Sequence, residues 1–553
     1  MEQKWWHSAI GYEIYPKSFK DGNGDGIGDL YGVLEKLDYL ADLGINLIWL
    51  CPINKSPMVD HGYDVADYEE IDPIFGDKDT LKLLITEAKK RDIKIILDLV
   101  VNHSSDQHEW FQKALANPDG PYGDYYIFRK GTATEAPNNW YGIFNGSTWE
   151  KVGDDQSDLY YLHIFTKEQP DLNWENQKLR EEIYGMIRRW LDFGIAGFRV
   201  DAISHVKKNF NYTNQHSERP DGLYNGMAYF NNVTGIVDIL QELKSETFAQ
   251  YDCFTVGEAN TPTPAQLSEY AGENGHFSSV FDFFHTPYHV EEDQFRDNPL
   301  ALVELLKEKI FNLHQNLAKD VFLTNITENH DNARSIDKFI PKNLQNFHSA
   351  SLLGSVNFFL RGIPFLYQGQ EIGMKNYPKK KITEYKDPTT LRQYDEKLLL
   401  RESPEEALSY YNRASREHSR TPMQWDSSEN AGFSTGIPWF EVNPNKNEIH
   451  VEKSLLLAYY KKMIALRKNP DYQDNWIYGD FSPLFSEKEG LISYERRHNG
   501  QKICCLFQCR NSKCTIFLKK DGLKVLLSNY ETNIIEDATI TLRPFEVLIL
   551  EIV

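Results

Sequence analysis

The sequence predicts an α/β fold: a (β/α)8 TIM barrel with an irregular insertion after strand 3 and a C-terminal all-β sandwich domain. Three observations carry that expectation. Short apolar runs alternate with amphipathic helical stretches through most of the chain, as parallel strands joined by crossover helices require. Eight such runs follow one another in order. Several end in His, Asp or Glu, and in a barrel of this kind chemistry sits at the strand C-termini.

Residues 11–16 (Gly-Tyr-Glu-Ile-Tyr-Pro) read as strand one. The loop Asp21-Gly-Asn-Gly-Asp-Gly-Ile-Gly-Asp29 follows, with oxygen-bearing side chains at Asp21, Asn23, Asp25 and Asp29 and a carbonyl available at Ile27. Hard oxygens on alternate residues, with glycines between, suit a calcium loop, so a structural Ca2+ is expected and no organic cofactor. An EF-hand would need glutamate where Gly32 stands. Helical periodicity over 30–43 leads to strand two at 46–51, and a helix over 80–91 to strand three at 93–101, which runs into Asn102-His103. The rhythm then breaks. Residues 104–170 are rich in Gly, Pro, Asn and Tyr with few helical signals, and read as the insertion.

A helix over 175–193 is stopped by Gly194, and 196–201 forms strand four, closed by Asp201. A helix near 232–250, strand five at 252–258, strand six at 278–283, a helix over 300–317, strand seven at 320–327 and strand eight at 362–367 complete the barrel. A polar excursion spans about 375–440, a last helix 454–467, and short alternating strands with turns such as Lys520-Asp-Gly begin near 470. The division is 1–103 and 171–469 for the barrel, 104–170 for the insertion and 470–553 for the β domain.

A net charge of −21, spread along the chain, argues against nucleic acid or an anionic membrane and suits a small neutral substrate. Aromatic residues make up 13%, enough to line a sugar site as well as a core. The opening Met-Glu-Gln-Lys-Trp-Trp carries no secretory pattern, and no apolar run would span a bilayer. The six cysteines lack zinc-like spacing and read as reduced structural thiols. A cytoplasmic monomer is expected.

The strand ends carry matching chemistry: His103 after strand three, Arg199 and Asp201 on strand four, Glu258 on strand five, and His330 and Asp331 after strand seven. Residues two apart on a strand share a face, so Arg199 and Asp201 point the same way. An adjacent arginine favours an ionised Asp201, as a nucleophile requires. Glu258, with apolar Val256 on its strand face and no adjacent cation expected, suits a general acid whose pKa is raised by crowding with Asp201. Two such carboxyls about 5 Å apart are the equipment of a retaining glycosidase.

The motifs Asp98-Leu-Val-Val-Asn-His103, Gln169-Pro-Asp-Leu-Asn173, Gly197-Phe-Arg-Val-Asp201, Val256-Gly-Glu258 and Glu328-Asn-His-Asp331 make the chain similar, from end to end, to the α-glucosidase branch of the α-amylase superfamily. The resemblance implies Asp201 as nucleophile, Glu258 as acid/base, and Asp331 as the group gripping the sugar 2- and 3-hydroxyls. It further implies that Asp64 and Arg420 pair to close the pocket around the non-reducing glucose, making the enzyme exo-acting. His103 and His330 would donate to the same sugar, Tyr63, Phe144 and Phe165 would form an aromatic wall, and Gln169 would join the binding set. Residues 104–170 become domain B and 21–29 the metal site. Likeness in the opening segment and at 169–173 points to an oligo-1,6-glucosidase or dextran glucosidase. Ala202 after the nucleophile, and Thr389 in Asp387-Pro-Thr-Thr-Leu, depart from 1,6-specific members, which usually carry valine and a carboxylate there. An α-1,4-glucosidase (maltase), a trehalose-6-phosphate hydrolase, a sucrose isomerase and a non-catalytic carbohydrate-binding relative are the alternatives. His205 suits a packed or capping histidine, and Lys379-Lys-Lys381 a solvated run.

Overall fold

A computed structural model describes residues 3–259, 266–281, 299–518 and 522–553. Eight strands close a parallel barrel in sequence order: β1 (Gly11–Ile14), β2 (Leu47–Leu50), β3 (Lys94–Val100), β4 (Gly197–Asp201), β5 (Phe254–Gly257), β6 (Ser279–Phe281), β7 (Leu323–Asn325) and β8 (Ile363–Tyr367), with β8 pairing back to β1. Residues 282–283 of the expected sixth strand, and Lys520 and Asp521 of the expected turn, lie outside the described residues.

The strands are short and apolar because both faces are covered. Trp49, Ile96, Phe254, Val256, Ile363 and Phe365 pack within the barrel, while Ile48, Leu97, Phe198 and Val200 face the surrounding helices. Helix α1 (Gln177–Phe193) ends at Gly194, which caps it in the left-handed conformation at φ 112°. Gly197 starts β4 with no room for a side chain: a Cβ there would lie 1.8 Å from the Phe254 carbonyl oxygen. That close approach seats β4 against β5 and sets the register that places Arg199 opposite Asp98 and Val256.

The insertion holds a three-stranded antiparallel sheet (Phe128–Lys130, Leu159–Leu162, Trp149–Lys151) and, contrary to the sequence reading, a helix at Glu109–Ala116, begun by His108 accepting from the Trp110 amide. Its root is tied by a buried ammonium. Lys208 Nζ lies 3.0 Å from Asp171 Oδ2 and donates to Asn102 Oδ1 at 2.7 Å. The insertion is not separate from the barrel loops, since Trp140–Tyr141 pairs with Tyr224–Asn225 after β4.

The excursion is more ordered than its polar composition suggests. It forms α2 (Pro388–Leu399) and α3 (Pro404–Ala414), packed on each other through Tyr385, Tyr394, Ala407 and Tyr411. Asp387 caps α2 by accepting from Thr390, and a reciprocal Ser403–Glu406 capping box starts α3. Two sheets, of five and three strands, form the C-terminal sandwich, closed over Leu491, Leu506, Ile516, Ile540 and Leu548. All six cysteines are free thiols. Among the described residues no helix is long and apolar enough to cross a membrane.

Candidate active site

Arg199 is the centre of the site, 1% exposed. Its Nη1 lies 2.6 Å from Asp201 Oδ1 and 2.8 Å from Asp98 Oδ1, and its Nη2 lies 2.8 Å from Glu258 Oε2. One guanidinium fork thus holds the ends of β3, β4 and β5 together, and brings the two carboxyls expected to do the chemistry to neighbouring donors. Ala202 turns the chain out of β4 in the left-handed region at φ 44°, and its amide donates to Glu258 Oε2 at 3.0 Å. A non-glycine residue in that conformation costs backbone energy, which here aims an N–H at the acid.

This geometry corrects the sequence reading of the pair. Glu258 does have an adjacent cation, and Arg199 does not serve Asp201 alone. Burial pushes the Asp201 carboxyl well above the usual carboxylate range against the pull of Arg199, and the carboxyls of Glu258 and Asp98 push it the same way. Asp98 is also raised by burial, opposed by Arg199. Asp98, Asp201 and Glu258 share one guanidinium, and within it Asp98 and Asp201 titrate together rather than as separate residues.

Asp331 lies on the opposite wall. Its Oδ1 accepts from Arg416 Nη1 and Arg420 Nη2, each at 2.9 Å, and its Oδ2 lies 3.2 Å from His330 Nε2. Burial alone would raise this carboxyl; His330 and the two arginines hold it well below the usual range. Both ring nitrogens of His330 face oxygens. Its Nδ1 faces Glu13 Oε1 at 2.6 Å, and its Nε2 lies 2.7 Å from the Tyr63 hydroxyl, whose own proton goes to Asp98 Oδ2 at 2.9 Å. Burial disfavours the imidazolium, but Asp331 and Glu13 outweigh it and raise the pKa well above the ordinary histidine value.

Tyr63 stacks on His330 with ring centroids 5.3 Å apart. Phe144 and Phe165 meet edge to face at 5.2 Å, and Phe165 reaches the His103 ring at 4.9 Å. Phe144 and Phe165 are therefore contiguous, while Tyr63, the third aromatic residue expected in that wall, stacks on His330. His103 itself is turned to the protein. Its Nε2 donates to the Tyr63 carbonyl at 3.0 Å, its Nδ1 lies 3.2 Å from Asn102 Nδ2, and burial pulls its pKa down to about 3, so it stays neutral. Gln169 is fully buried and donates to Asp60 Oδ2 at 3.1 Å, bracing the site from behind. His205, also buried, packs near Phe165 and Phe230 with its Nδ1 2.8 Å from the Phe230 carbonyl.

The expected Asp64–Arg420 pair is not the one formed. Asp64 turns back to accept from the amides of Val59 and Asp60, at 2.8 and 2.9 Å, while Arg420 donates to Asp331 and to the His330 carbonyl. The ion pair across this end of the site is Asp60–Arg416 at 2.8 Å. Arg416 also lies 2.8 Å from Asp387 Oδ1, donates to Thr389 Oγ1 at 2.8 Å, and sits 5.2 Å from the Phe144 ring centre. Asp60, Asp98, Arg416, Asp387 and Glu13 were thus missed as site groups. Proximity in sequence was the signal for Arg416: it opens the 3-10 turn Arg416–Arg420 that ends in Arg420. None distinguished Asp60 from Asp64, because the choice depends on which carboxyl satisfies the local turn.

The 21–29 loop folds back on itself. Asp21 accepts from the amides of Asn23, Gly24 and Gly26, and Asp29 from those of Gly22, Asn23 and Gly32, so the two carboxylates converge on Asn23. Both are buried, and among the described residues no lysine or arginine side chain pairs with either. Two crowded carboxylates without a cationic partner fit a hard cation with oxygen ligands. Asn23 and Asp25 spend side-chain oxygens on the amides of Asp25 and Ile27.

The alpha amylase, catalytic domain family matches residues 13–474. The oligo-1,6-glucosidase of Bacillus cereus is 38% identical over 563 residues, covering 100% of each chain. Among solved structures, the trehalose-6-phosphate hydrolase of Bacillus licheniformis superposes with a TM-score of 0.88 at 32% identity, covering 99% of this chain and 100% of that one. The isomaltulose synthase of Protaminobacter rubrum gives 0.90 at 33%, with both chains fully covered. Matched along its whole length in both sequence and barrel architecture, the chain belongs to the α-amylase family.

Proposed function

We propose that the chain is an exo-acting, retaining α-glucosidase that releases glucose from the non-reducing end of short α-1,6-linked gluco-oligosaccharides such as isomaltose and panose. The observation that carries this reading is the Arg199 fork joining Asp201 to Glu258. Similarity to an oligo-1,6-glucosidase over full length supports the linkage.

In this mechanism Asp201 attacks the anomeric carbon as the bond to the leaving oxygen breaks, and Glu258 gives that oxygen its proton. A water then adds to the glucosyl-Asp201 ester, Glu258 takes a proton from it, and Asp201 leaves as the carboxylate, so configuration is retained. The transferable proton must reside on Glu258 at the first step. Arg199 reaches both carboxyls and stabilises an anion on either, so it is the leaving oxygen of the bound substrate, accepting from Glu258, that would hold the proton there. Asp331, kept charged by His330, Arg416 and Arg420, accepts from the 2- and 3-hydroxyls. The Asp60–Arg416 pair caps the far end, so that only a terminal glucose fits. A calcium ion held by Asp21, Asn23, Asp25, Asp29 and the Ile27 carbonyl would brace the loop, away from the chemistry. The protein would act as a cytoplasmic monomer.

The small Ala202 beside the acid, and Thr389 in place of a carboxylate beside Arg416, favour a second reading, α-1,4-glucosidase. Incubation with isomaltose, panose, maltose, trehalose-6-phosphate and sucrose, with initial rates compared, decides. Isomaltose and panose should lead, with α-glucose formed first. A lead by maltose, by trehalose-6-phosphate, or by isomerised sucrose overturns the 1,6 assignment, and no cleavage of any overturns the enzyme.

A further inference from the structure

Glu396, about two turns along α2 from the Thr389 that touches Arg416, ties together three chain segments that otherwise belong to opposite sides of the site. Its Oε1 lies 2.5 Å from Arg219 Nη1, in the loop after β4, and its Oε2 accepts from Asn145 Nδ2 of the insertion. Arg219 is held in place from two other directions: its fork lies on Asp221, with Nη2–Oδ2 at 2.9 Å and Nε–Oδ1 at 3.1 Å, and its guanidinium covers the Tyr141 ring at 4.5 Å. The loop after β4 is already strand-paired to the insertion, so the two form one leaf. α2 belongs to the other side, and among the described residues Glu396 makes the side-chain ion pair that joins α2 to this leaf.

Both partners of this contact lead directly to the pocket. Asn145 follows Phe144 in a left-handed turn at φ 62°, and Phe144 lies against Arg416. α2 carries Thr389, whose hydroxyl accepts from Arg416 seven residues before Glu396, a rise of about 10 Å along the helix. The carboxyl of Glu396 and the guanidinium of Arg219 are each under one-fifth exposed, so the pair is shielded from solvent screening.

We infer that Glu396 is a specificity-determining, positioning residue: through Arg219 and Asn145 it clasps the leaf carrying Phe144 to the helix carrying Thr389, and so fixes the width of the pocket mouth on the side of Arg416 away from Asp60, where the part of the substrate beyond the terminal glucose emerges. The inference rests on the oligosaccharide-hydrolase reading. A short substrate depends on both walls standing close, because it has no further residues to contact. A long chain keeps contacts outside the mouth and is also the substrate that a narrow mouth hinders. Glu396 therefore biases the enzyme towards short chains without touching the reacting atoms.

The test compares isomaltose with an isomalto-oligosaccharide of six glucose units in wild type, E396A, E396Q and R219M, with the melting temperature of each variant as a folding check. Loss of one shielded charge-assisted contact should raise KM for isomaltose about tenfold in E396A, with kcat within about threefold. The ratio of kcat/KM, long over short, should rise by about the same factor. R219M should reproduce the shift from the other side, and E396Q, which still accepts hydrogen bonds, should recover part of it. A folded E396A or R219M in which both substrates fall equally, or neither changes, overturns the inference alone. If E396A does not fold, E396Q and R219M decide by the same ratio. A wild type that cleaves no α-glucoside overturns the proposed function and this inference together.

Discussion

Replacing Arg416 by methionine tests the pocket's closed end. The guanidinium lies 2.8 Å from Asp60, 2.9 Å from Asp331 and 2.8 Å from Asp387. These three carboxyls would not suffer equally. Asp331 keeps Arg420 and His330, and Asp387 keeps Arg420 at 3.8 Å. Among the described residues, Asp60 keeps the neutral Gln169 amide at 3.1 Å as its side-chain donor, with the Arg420 charge acting on it without an ion-pair contact. The cost is therefore that of leaving one buried carboxylate without its cation, about 3–5 kcal/mol. If half to all of it falls on the bound state, kcat/KM on isomaltose drops about 10- to 4000-fold, at 1.4 kcal/mol per decade. In R416M/D60N the stranded charge is gone, so the double variant should be more stable than R416M and the two effects strongly non-additive. Steady-state kinetics and thermal melts of the four proteins read this directly. An R416M enzyme within threefold of wild type, or additive effects, would refute the assignment of Asp60–Arg416 as the pair that closes the pocket.

Other expectations follow from the same charges. K208M, which strands Asp171 at the root of the insertion, should cost about 3–5 kcal/mol, seen as a lower melting temperature and faster proteolysis within 104–170; K208M/D171N should recover part of it. The folded-state pKa of His330 is raised, so its contribution to stability is complete below about pH 6.5 and is lost as pH climbs towards the folded value. The stability gap between wild type and H330Q should accordingly shrink above about pH 6.5, by about 1.4 kcal/mol per pH unit. Chelation should lower the melting temperature, and added Ca2+ restore it, with activity at 25 °C little changed; D21N/D29N should melt at one temperature with or without chelator.

Much of the barrel was legible because buried strands and crossover helices leave local patterns. The strand-end residues Asp201 and Glu258 followed from those patterns, since each closes its own apolar run. What escaped the sequence was partnership. Asp60 and Arg416 are 356 positions apart, and no local periodicity links them. The Glu258 cation was hidden for the same reason: Arg199 looked committed to Asp201, and only the β4–β5 register turns its second nitrogen to β5. α2 and α3 were obscured by charged surface, although Asp387-Pro and Ser403-Pro, a capping residue followed by proline, were present as helix starts. Asp64, expected to bind sugar, instead satisfies two amides of its own turn, a use open to any aspartate in a loop.

Covalent trapping tests the Asp201–Glu258 pairing most directly. A 5-fluoro-α-glucosyl fluoride slows release of the glucosyl-enzyme, and peptide mass spectrometry then locates the sugar. An adduct on the peptide containing Asp201, lost in D201N and accumulating more slowly with a non-activated leaving group in E258Q, is the predicted result. An adduct on a different carboxylate, or β-glucose as the first product with no adduct at all, would contradict it.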